Sequence, residues 1–137
     1  MSIFAIEKFE AVRKDGKVSF YKLYENGECL LDKFYNEIQF HEKSLSDYKS
    51  ILATMDYMAE TNVLLPKQKF NSIKERGKVM GYEFKKNDLR IYCIKPMTNV
   101  VILFGGYKKN QKRDIKRMQA ITKEIDEIID DLITIKR

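Results

Sequence analysis

The sequence predicts a small α+β domain in which a β-hairpin is followed by two helices, three strands and a final helix. Three observations support this fold class: the length of the chain, its composition, and the change between two-residue and helical spacing of apolar residues along it. A chain of 137 residues is long enough for one hydrophobic core. Hydrophobic residues make up 44% of it and charged residues 34%, a composition typical of a globular protein.

The first 40 residues contain a hairpin pattern followed by a helix pattern. Apolar and polar residues alternate over residues 4–12 and again over residues 18–24. Asp15-Gly16 lies between these runs, and an Asp-Gly pair in that position is typical of a hairpin turn. Apolar residues at helical spacing then predict a helix over residues 29–38.

A second helix is predicted before the strands. Ser44 or Ser46 is suited to its N-cap position, and apolar residues recur at helical spacing after it. Asn62 and Pro66 are predicted to end this helix. Residues 67–80 are basic and show no regular pattern, so they are predicted to be irregular.

Three strands and a helix are predicted in the second half of the chain. The strands are expected over Gly81–Lys86, Leu89–Ile94 and residues 100–104. The last run is apolar without interruption, as expected of a strand that is covered on both faces. Gly105-Gly106 is predicted to end this strand. One long amphipathic helix is predicted from Lys112 onwards.

Metal and nucleotide sites are not indicated by the sequence. Cys29 and Cys93 lie far apart and neither belongs to a CxxC pair, which favours two buried free thiols. The single histidine, His41, has no obvious catalytic partner and is interpreted as a residue of the connector between the two helices. This set of residues does not predict a zinc or iron site, and no phosphate-binding or dinucleotide-binding glycine motif is present.

The sequence also predicts a cytoplasmic protein. No run approaches the roughly 18 apolar residues that a membrane-spanning helix needs. Glu7 interrupts the N-terminal apolar residues too early for the apolar region of a signal peptide.

Basic residues are concentrated in one part of the chain. Residues 67–117 hold 15 lysines and arginines against 4 acidic residues and so carry +11, whereas the whole chain carries +6 and the remainder therefore −5. Such segregation of charge indicates an anionic partner at one face. Membrane headgroups are a weaker candidate than RNA, because the basic residues interleave with strand-like apolar residues.

Lys85, Arg90 and Lys108 are the candidate catalytic residues. Strand alternation directs Lys85 and Arg90 away from their apolar neighbours, and Lys108 belongs to a polar segment after the last strand. If the strands pair, the three cations converge on one concave surface and hold a phosphodiester, with bidentate contacts from the arginine. A tyrosine nearby offers a stacking plane for an unpaired RNA base.

A cation cluster of this kind supports RNA cleavage by the RNA's own 2′-OH. The reaction requires removal of the 2′-OH proton, stabilisation of charge on the phosphorane and protonation of the leaving oxygen. Arg90 is the candidate for stabilising the phosphorane, and the base is one of Lys85, Lys86 and Lys108. Tyr107 or a second lysine is expected to stack on a base or to donate the proton. Composition by itself favours binding without cleavage over cleavage.

Three segments of the basic region share a recognisable pattern. They are Gly81-Tyr82-Glu83-Phe84-Lys85, Leu89-Arg90-Ile91-Tyr92 and the run from Val100 to Lys112. These segments resemble the RelE/HigB superfamily of bacterial toxins, and they are closest to its phage-derived, host-killing-like branch. The resemblance extends over roughly residues 18–125, and its most specific part is Lys108-Lys109-Asn110-Gln111-Lys112 after an apolar strand.

The resemblance implies a RelE-like fold and a ribonuclease function. The fold has two N-terminal helices packed on a small twisted antiparallel sheet and a C-terminal helix, here with an extra N-terminal strand, as one toxin domain over residues 1–137. The function is that of an mRNA interferase, an endoribonuclease that cuts mRNA on the ribosome, inhibits translation and is neutralised by a cognate antitoxin protein. No metal or organic cofactor is implied.

The predicted site has a catalytic set and an RNA-binding set. The catalytic residues are Lys85, Arg90 and Lys108. The RNA-binding residues are Lys86, Tyr107, Lys109, Gln111, Lys112 and Arg113.

The chain departs from the family pattern at four points. An extra hairpin strand over residues 3–12 and the acidic end of the last helix lengthen the ordinary domain. Lys85 stands where the family has an arginine, which removes bidentate phosphate binding at that position. Arg113-Asp114 stand where the family has a proline. Two alternative functions remain open, a ParE-like inhibitor of DNA gyrase and a non-catalytic RNA-binding or regulatory protein of the same fold.

Overall fold

A computed structural model describes residues 2–13, 15–63, 65–73 and 80–136. Within these residues the chain forms one sheet of seven strands together with four α-helices. The strands are β1 (Phe4–Lys8), β2 (Ser19–Glu25), β3 (Glu28–Cys29), β4 (Phe70–Ile73), β5 (Gly81–Lys86), β6 (Leu89–Ile94) and β7 (Asn99–Tyr107). The helices are α1 (Leu30–Ile38), α2 (Glu42–Thr61), α3 (Gln111–Ile125) and α4 (Ile129–Lys136), and a short 3₁₀ helix (Lys108–Asn110) links β7 to α3.

The sheet is mixed, with β7 at its centre. Its order is β1-β2-β7-β6-β5-β4, and β3 pairs with β2. Neighbouring strands are antiparallel except β2 and β7, which run parallel from Ser19↔Asn99 to Lys22↔Ile102. The apolar run of β7 is buried, as expected of a central strand covered on both faces.

Helices cover both faces of the sheet. α1 and α2 pack on one face, where Phe84, Ile91 and Val100 belong to one hydrophobic core. α3 and α4 pack on the other face, where Tyr92 and Val101 belong to a second core. Because successive residues of a strand point to opposite faces, neighbours in β6 and β7 contribute to different cores.

The predicted fold, two N-terminal helices packed on a small twisted antiparallel sheet with one C-terminal helix, is wrong. The sheet has seven strands and is mixed, and two further helices cover its second face. The N-terminal hairpin is an integral part of the sheet, because β2 pairs with β7 and β1 extends the sheet beyond β2. Strand order depends on pairing between distant segments, which the local apolar pattern does not encode.

Several local predictions are confirmed. β1 and β2 form the predicted antiparallel hairpin, and α1 lies within the predicted range 29–38. β5 and β6 have the predicted bounds. Cys29 and Cys93 are buried free thiols.

The boundaries of α2 are partly corrected. The helix begins at Glu42 with His41 in the N-cap position, so neither Ser44 nor Ser46 caps it. It ends as predicted at Asn62, whose backbone adopts the left-handed conformation that asparagine tolerates better than most residues.

The other corrections concern the C-terminal half of the chain. β4 lies within residues 67–80, for which the sequence predicts no regular structure, and residues 74–79 of that segment lie outside the described residues. Gly105-Gly106 continues β7 instead of ending it. A turn at residues 126–128 divides the single predicted terminal helix into α3 and α4.

A membrane span requires a helix of sufficient length and apolar character. Among the described residues, every helix is too short or too polar to serve as a transmembrane span.

Gly105 allows α1 to lie close to β7. A Cβ atom on this residue would lie 2.3 Å from Cδ2 of the Phe34 ring. The absence of a side chain at Gly105 therefore allows the Phe34 ring of α1 to contact the backbone of β7 directly.

We expect Gly105→Ala to lower the free energy of unfolding by about 1–3 kcal/mol, because Phe34 and α1 must shift to admit the methyl group. Urea denaturation measures this loss. The loss should be smaller in a Phe34→Leu background, where the ring is absent. An equal loss in both backgrounds would contradict the explanation.

Candidate nucleic-acid interface

The turn between β5 and β6 forms the end of the sheet where the predicted site residues lie. Lys86 and Leu89 pair across this turn, which consists of Asn87-Asp88. Asn87 has a φ of 51°, in the left-handed region. Its short polar side chain makes it one of the few residue types that adopt this conformation readily.

Hydrogen bonds from the strands hold the turn in place. Nη1 of Arg90 donates to the carbonyl oxygens of Asn87 and Leu89 at 2.7 and 2.9 Å. The backbone N–H of Lys108 donates to the carbonyl of Asp88 at 2.7 Å. The turn is therefore fixed to the end of β7 as well as to its own strands.

The turn is also attached to α2. Nδ2 of Asn87 donates to Oδ1 of Asp47 at 2.8 Å. Asp47 is buried and its other carboxylate oxygen lies 3.6 Å from Nζ of Lys43 one helical turn earlier. This connection makes the turn a fixed point between the sheet and the first helical layer.

Five lysines surround the turn, and we call this surface the basic end. They are Lys69, Lys85, Lys86, Lys108 and Lys109. Lys85 and Lys86 end β5, and the backbone N–H of Lys85 donates to the carbonyl of Lys69 at 2.9 Å. Lys108 and Lys109 follow directly after β7 and are exposed.

The lysines of the basic end lie at one end of the sheet, where Asp88 is the only acidic residue among the described residues that line the two clefts beside the turn. Lys85, Arg90 and Gly106 form one row across β5, β6 and β7, so the Cα atoms of Lys85 and Gly106 are two strand spacings, or roughly 10 Å, apart. In the described part of the chain, no carboxylate forms an ion pair with any of the five lysines. A polyanion is therefore attracted to this end of the sheet.

Two clefts lie on either side of the turn. The first has a volume of about 520 Å³ and four lining residues: Asp88, Tyr107, Lys108 and Lys109. The second, which we call the α2 cleft, lies between α2 and β4–β5 and has a volume of about 630 Å³. Its walls contain the other three lysines of the basic end: Lys69, Lys85 and Lys86.

Arg90 does not belong to this exposed surface. It is 7% exposed, its guanidinium contacts the carbonyls of the turn, and its Nε has no hydrogen-bond partner within the described residues. The structure thus brings Lys85 and Lys108 to the same end of the sheet and places Arg90 beneath the turn. The predicted convergence of three exposed cations does not extend to Arg90, whose side chain holds the turn instead.

Tyr107 and Gln111 make internal contacts. The Tyr107 hydroxyl lies 3.1 Å from Oγ of Ser44, and its ring packs edge-on against Phe34 with the centroids 5.7 Å apart. Nε2 of Gln111 donates to both carboxylate oxygens of Glu83, at 2.8 and 3.0 Å. These two residues of the predicted RNA-binding set attach β7 and α3 to the rest of the molecule.

The remaining residues of the predicted RNA-binding set are accessible. Lys86 and Lys109 belong to the basic end, and Lys112 and Arg113 lie exposed in the first turn of α3. Nε of Arg113 lies 3.6 Å from the carboxylate of Asp114. Four of the six residues are thus positioned to contact a ligand.

A group of buried polar side chains under α3 was not indicated by the sequence. Glu83, Tyr92 and Asp114 are 2%, 0% and 6% exposed, and all three lie between the sheet and α3. A Cβ on Gly106 would lie 2.3 Å from Oδ2 of Asp114, so this glycine provides the space for the carboxylate. One feature of the sequence could have indicated this group. Side chains of a strand alternate between the two faces of the sheet, so Glu83 in the predicted strand β5 lies on the opposite face from Phe84 and must be buried there under α3.

Burial changes the ionisation of this group. It raises the pKa of the Tyr92 hydroxyl, and the nearby carboxylates of Asp114 and Glu83 raise it further. Burial also raises the pKa of Asp114, although Arg113 and Arg117 act in the opposite direction. The Tyr92 hydroxyl has no hydrogen-bond partner among the described residues.

Comparison with known proteins yields no relative: no protein-family model, curated protein or solved structure matches the chain. Within the described ranges, no group of three His, Cys, Asp or Glu side chains is arranged to hold a metal ion.

We expect Arg90→Ala to lower the free energy of unfolding by about 2 kcal/mol, because the charged hydrogen bonds that hold the turn are lost. Urea denaturation measures the change. Lys86→Ala, which removes an exposed cation at the last residue of β5 before the same turn, should change stability by no more than about 0.5 kcal/mol. Equal stability of the Arg90 variant and the wild type would show that the guanidinium does not hold the turn.

Asp114→Asn should change how stability depends on pH. The folded state raises the pKa of Asp114 above the unfolded value of 3.8, so the wild type loses stability as the pH rises from that value through the folded pKa. The asparagine variant lacks this loss and should gain stability relative to the wild type as the pH rises. Urea denaturation between about pH 4 and pH 7 measures the difference, with Glu124→Gln on the exposed side of α3 as the control. A difference that is independent of pH would contradict the assignment.

Proposed function

We propose that the protein binds single-stranded RNA at the basic end and cuts it there as an mRNA endoribonuclease. In this proposal it acts on mRNA on the ribosome, inhibits translation and is neutralised by a cognate antitoxin, as the sequence resemblance implies. The observation that carries the proposal is the group of five lysines around one hydrogen-bonded turn, none of which forms an ion pair with a carboxylate of the described residues.

The basic end suits a phosphate backbone. Lysines that contact several phosphates release bound counterions, which gives strong and salt-dependent binding. The lysines are carried by strand ends and a turn that hydrogen bonds hold on three sides, so little backbone ordering is needed on binding. These properties favour RNA over a small anion, which needs fewer cations.

Cleavage is assigned to the lysines, since Arg90 is buried beneath the turn. One lysine acts as the base and takes the proton from the 2′-OH, the 2′ oxygen attacks phosphorus, and the bond from phosphorus to the 5′ oxygen breaks. A second, protonated lysine gives its proton to the leaving 5′ oxygen, and the products are a 2′,3′-cyclic phosphate and a 5′-hydroxyl. Neighbouring ammonium groups stabilise the charge on the phosphorane. Lys85, Lys86 and Lys108 are the candidates for these roles.

The proposal depends on local sequence and on the surface, and not on the fold that the resemblance implies. The matching segments form β5, β6, β7 and the start of α3, and these elements with the short 3₁₀ helix carry every lysine of the basic end except Lys69. The ribosome and the antitoxin enter the proposal from the resemblance alone.

We expect the double variant Lys85→Gln/Lys108→Gln to bind single-stranded RNA more weakly and with less dependence on salt. Each lost phosphate contact should reduce the slope of log affinity against log salt concentration by about 1. Filter binding over a salt series measures the slope. Lys17→Gln/Lys123→Gln, which removes the same charge from exposed positions outside the basic end, is the matched control and should leave affinity nearly unchanged.

The same variants test cleavage in cells. Induction of the wild type should produce new mRNA 5′ ends at fixed positions within codons, and the double variant should not. RNA binding without new ends would indicate a non-catalytic RNA-binding protein. DNA damage signalling with intact mRNA would indicate a gyrase inhibitor, and either result overturns the ribonuclease proposal.

A further inference from the structure

The α2 cleft has one apolar and aromatic wall in addition to its lysines. Tyr57 and Val63 line it and are 49% and 48% exposed. Its volume of about 630 Å³ falls in the range of sites that hold small molecules, about 300–1,000 Å³. These two side chains leave apolar surface inside the cleft that a ligand is able to cover.

One wall of the cleft is a stripe on α2. Ser50, Thr54 and Tyr57 are separated by four and three residues, so they lie on the same face of the helix. The ring of Tyr57 provides a flat apolar surface. The Ser50 hydroxyl is able to donate to or accept from the polar edge of a ring stacked there, and the Thr54 hydroxyl, which donates to the carbonyl of Ser50 at 3.2 Å, is able to accept.

The other wall carries only positive charge. Lys69, Lys85 and Lys86 line it, and no acidic residue does so among the described residues. Asp56 and Glu60 line a neighbouring cleft on the other side of Tyr57. Both contact Arg13 there, since Asp56 accepts a hydrogen bond from its backbone N–H at 2.9 Å and Glu60 lies 3.3 Å from its guanidinium. A ligand of the cleft therefore combines a flat ring with negative charge.

We propose that the α2 cleft holds one unpaired nucleobase of the bound RNA, stacked on Tyr57, with the adjoining phosphates on Lys69, Lys85 and Lys86. This inference rests on the proposed function and adds a base-binding site to it. An acidic peptide would satisfy the lysines but would leave the ring of Tyr57 without a flat partner. Stacking accepts every base, because each has a π face.

The position of the α2 cleft predicts the course of the RNA across the basic end. Lys85 and Lys86 lie in the wall of the α2 cleft and also at the start of the turn, and Lys108 and Lys109 lie beyond it. An RNA chain with one base bound in the α2 cleft then extends across the turn, so that its phosphates lie next to Asn87-Asp88. The reacting phosphate is thereby placed next to the anchored nucleotide.

Crosslinking and binding test this inference together. A short oligouridylate with a single 4-thiouridine, irradiated with the wild type, should form a crosslink in the peptide that contains Tyr57. Tyr57→Ala should weaken binding of the same RNA about tenfold or more, because stacking is lost, and should leave the salt dependence unchanged, because the phosphate contacts remain. Tyr57→Phe keeps the stacking surface and should bind like the wild type.

Phe40→Ala is the matched control, since Phe40 is 86% exposed and lies outside the cleft. It should bind RNA like the wild type, and thermal unfolding should show that all variants are folded. Wild-type-like binding by Tyr57→Ala with crosslinks outside α2 would overturn the base site and leave the proposed RNA binding intact. Failure of the wild type to bind RNA with a steep dependence on salt would overturn both.

Discussion

The parallel pairing of β2 with β7 is the interaction on which the rest of the architecture depends. It extends over four residue pairs, from Ser19↔Asn99 to Lys22↔Ile102, and joins the N-terminal hairpin to the strands of the C-terminal half. β7 is central because of this pairing, and its uninterrupted apolar residues are then buried on both faces. A sheet with two apolar faces requires two layers of helices, which α1 with α2 and α3 with α4 provide.

This layered arrangement limits where a macromolecular ligand is able to bind. Helices cover both faces, so the strand ends and the sheet edges are the accessible parts of the sheet. The basic end occupies one of these places, where β5 and β7 both terminate and the turn between β5 and β6 separates two clefts. Binding residues on turns that a rigid framework positions are a common arrangement in proteins.

Arg90 and its lysine neighbours show how burial assigns different roles to residues of the same charge. A buried guanidinium is costly unless it is hydrogen-bonded, and the carbonyls of Asn87 and Leu89 offset that cost. Lys85, in the adjacent position of the same row, is partly exposed and has no carboxylate partner among the described residues. One cation of the row therefore stabilises the turn, and the other remains available to a ligand.

The sequence by itself determined the local elements and the location of charge. The bounds of β5 and β6, the hairpin, α1 and the concentration of lysine between residues 67 and 117 follow from patterns among near neighbours. Only the tertiary structure decided that β2 pairs with β7, that Arg90 is buried, and that Tyr57 lies across a cleft from Lys85. Each of these facts joins segments far apart in the chain or depends on which helix covers a face. The spacing of residues along the chain predicts which side chains share one face of a helix or strand. The packing of helices and strands against each other decides which residues that face contacts.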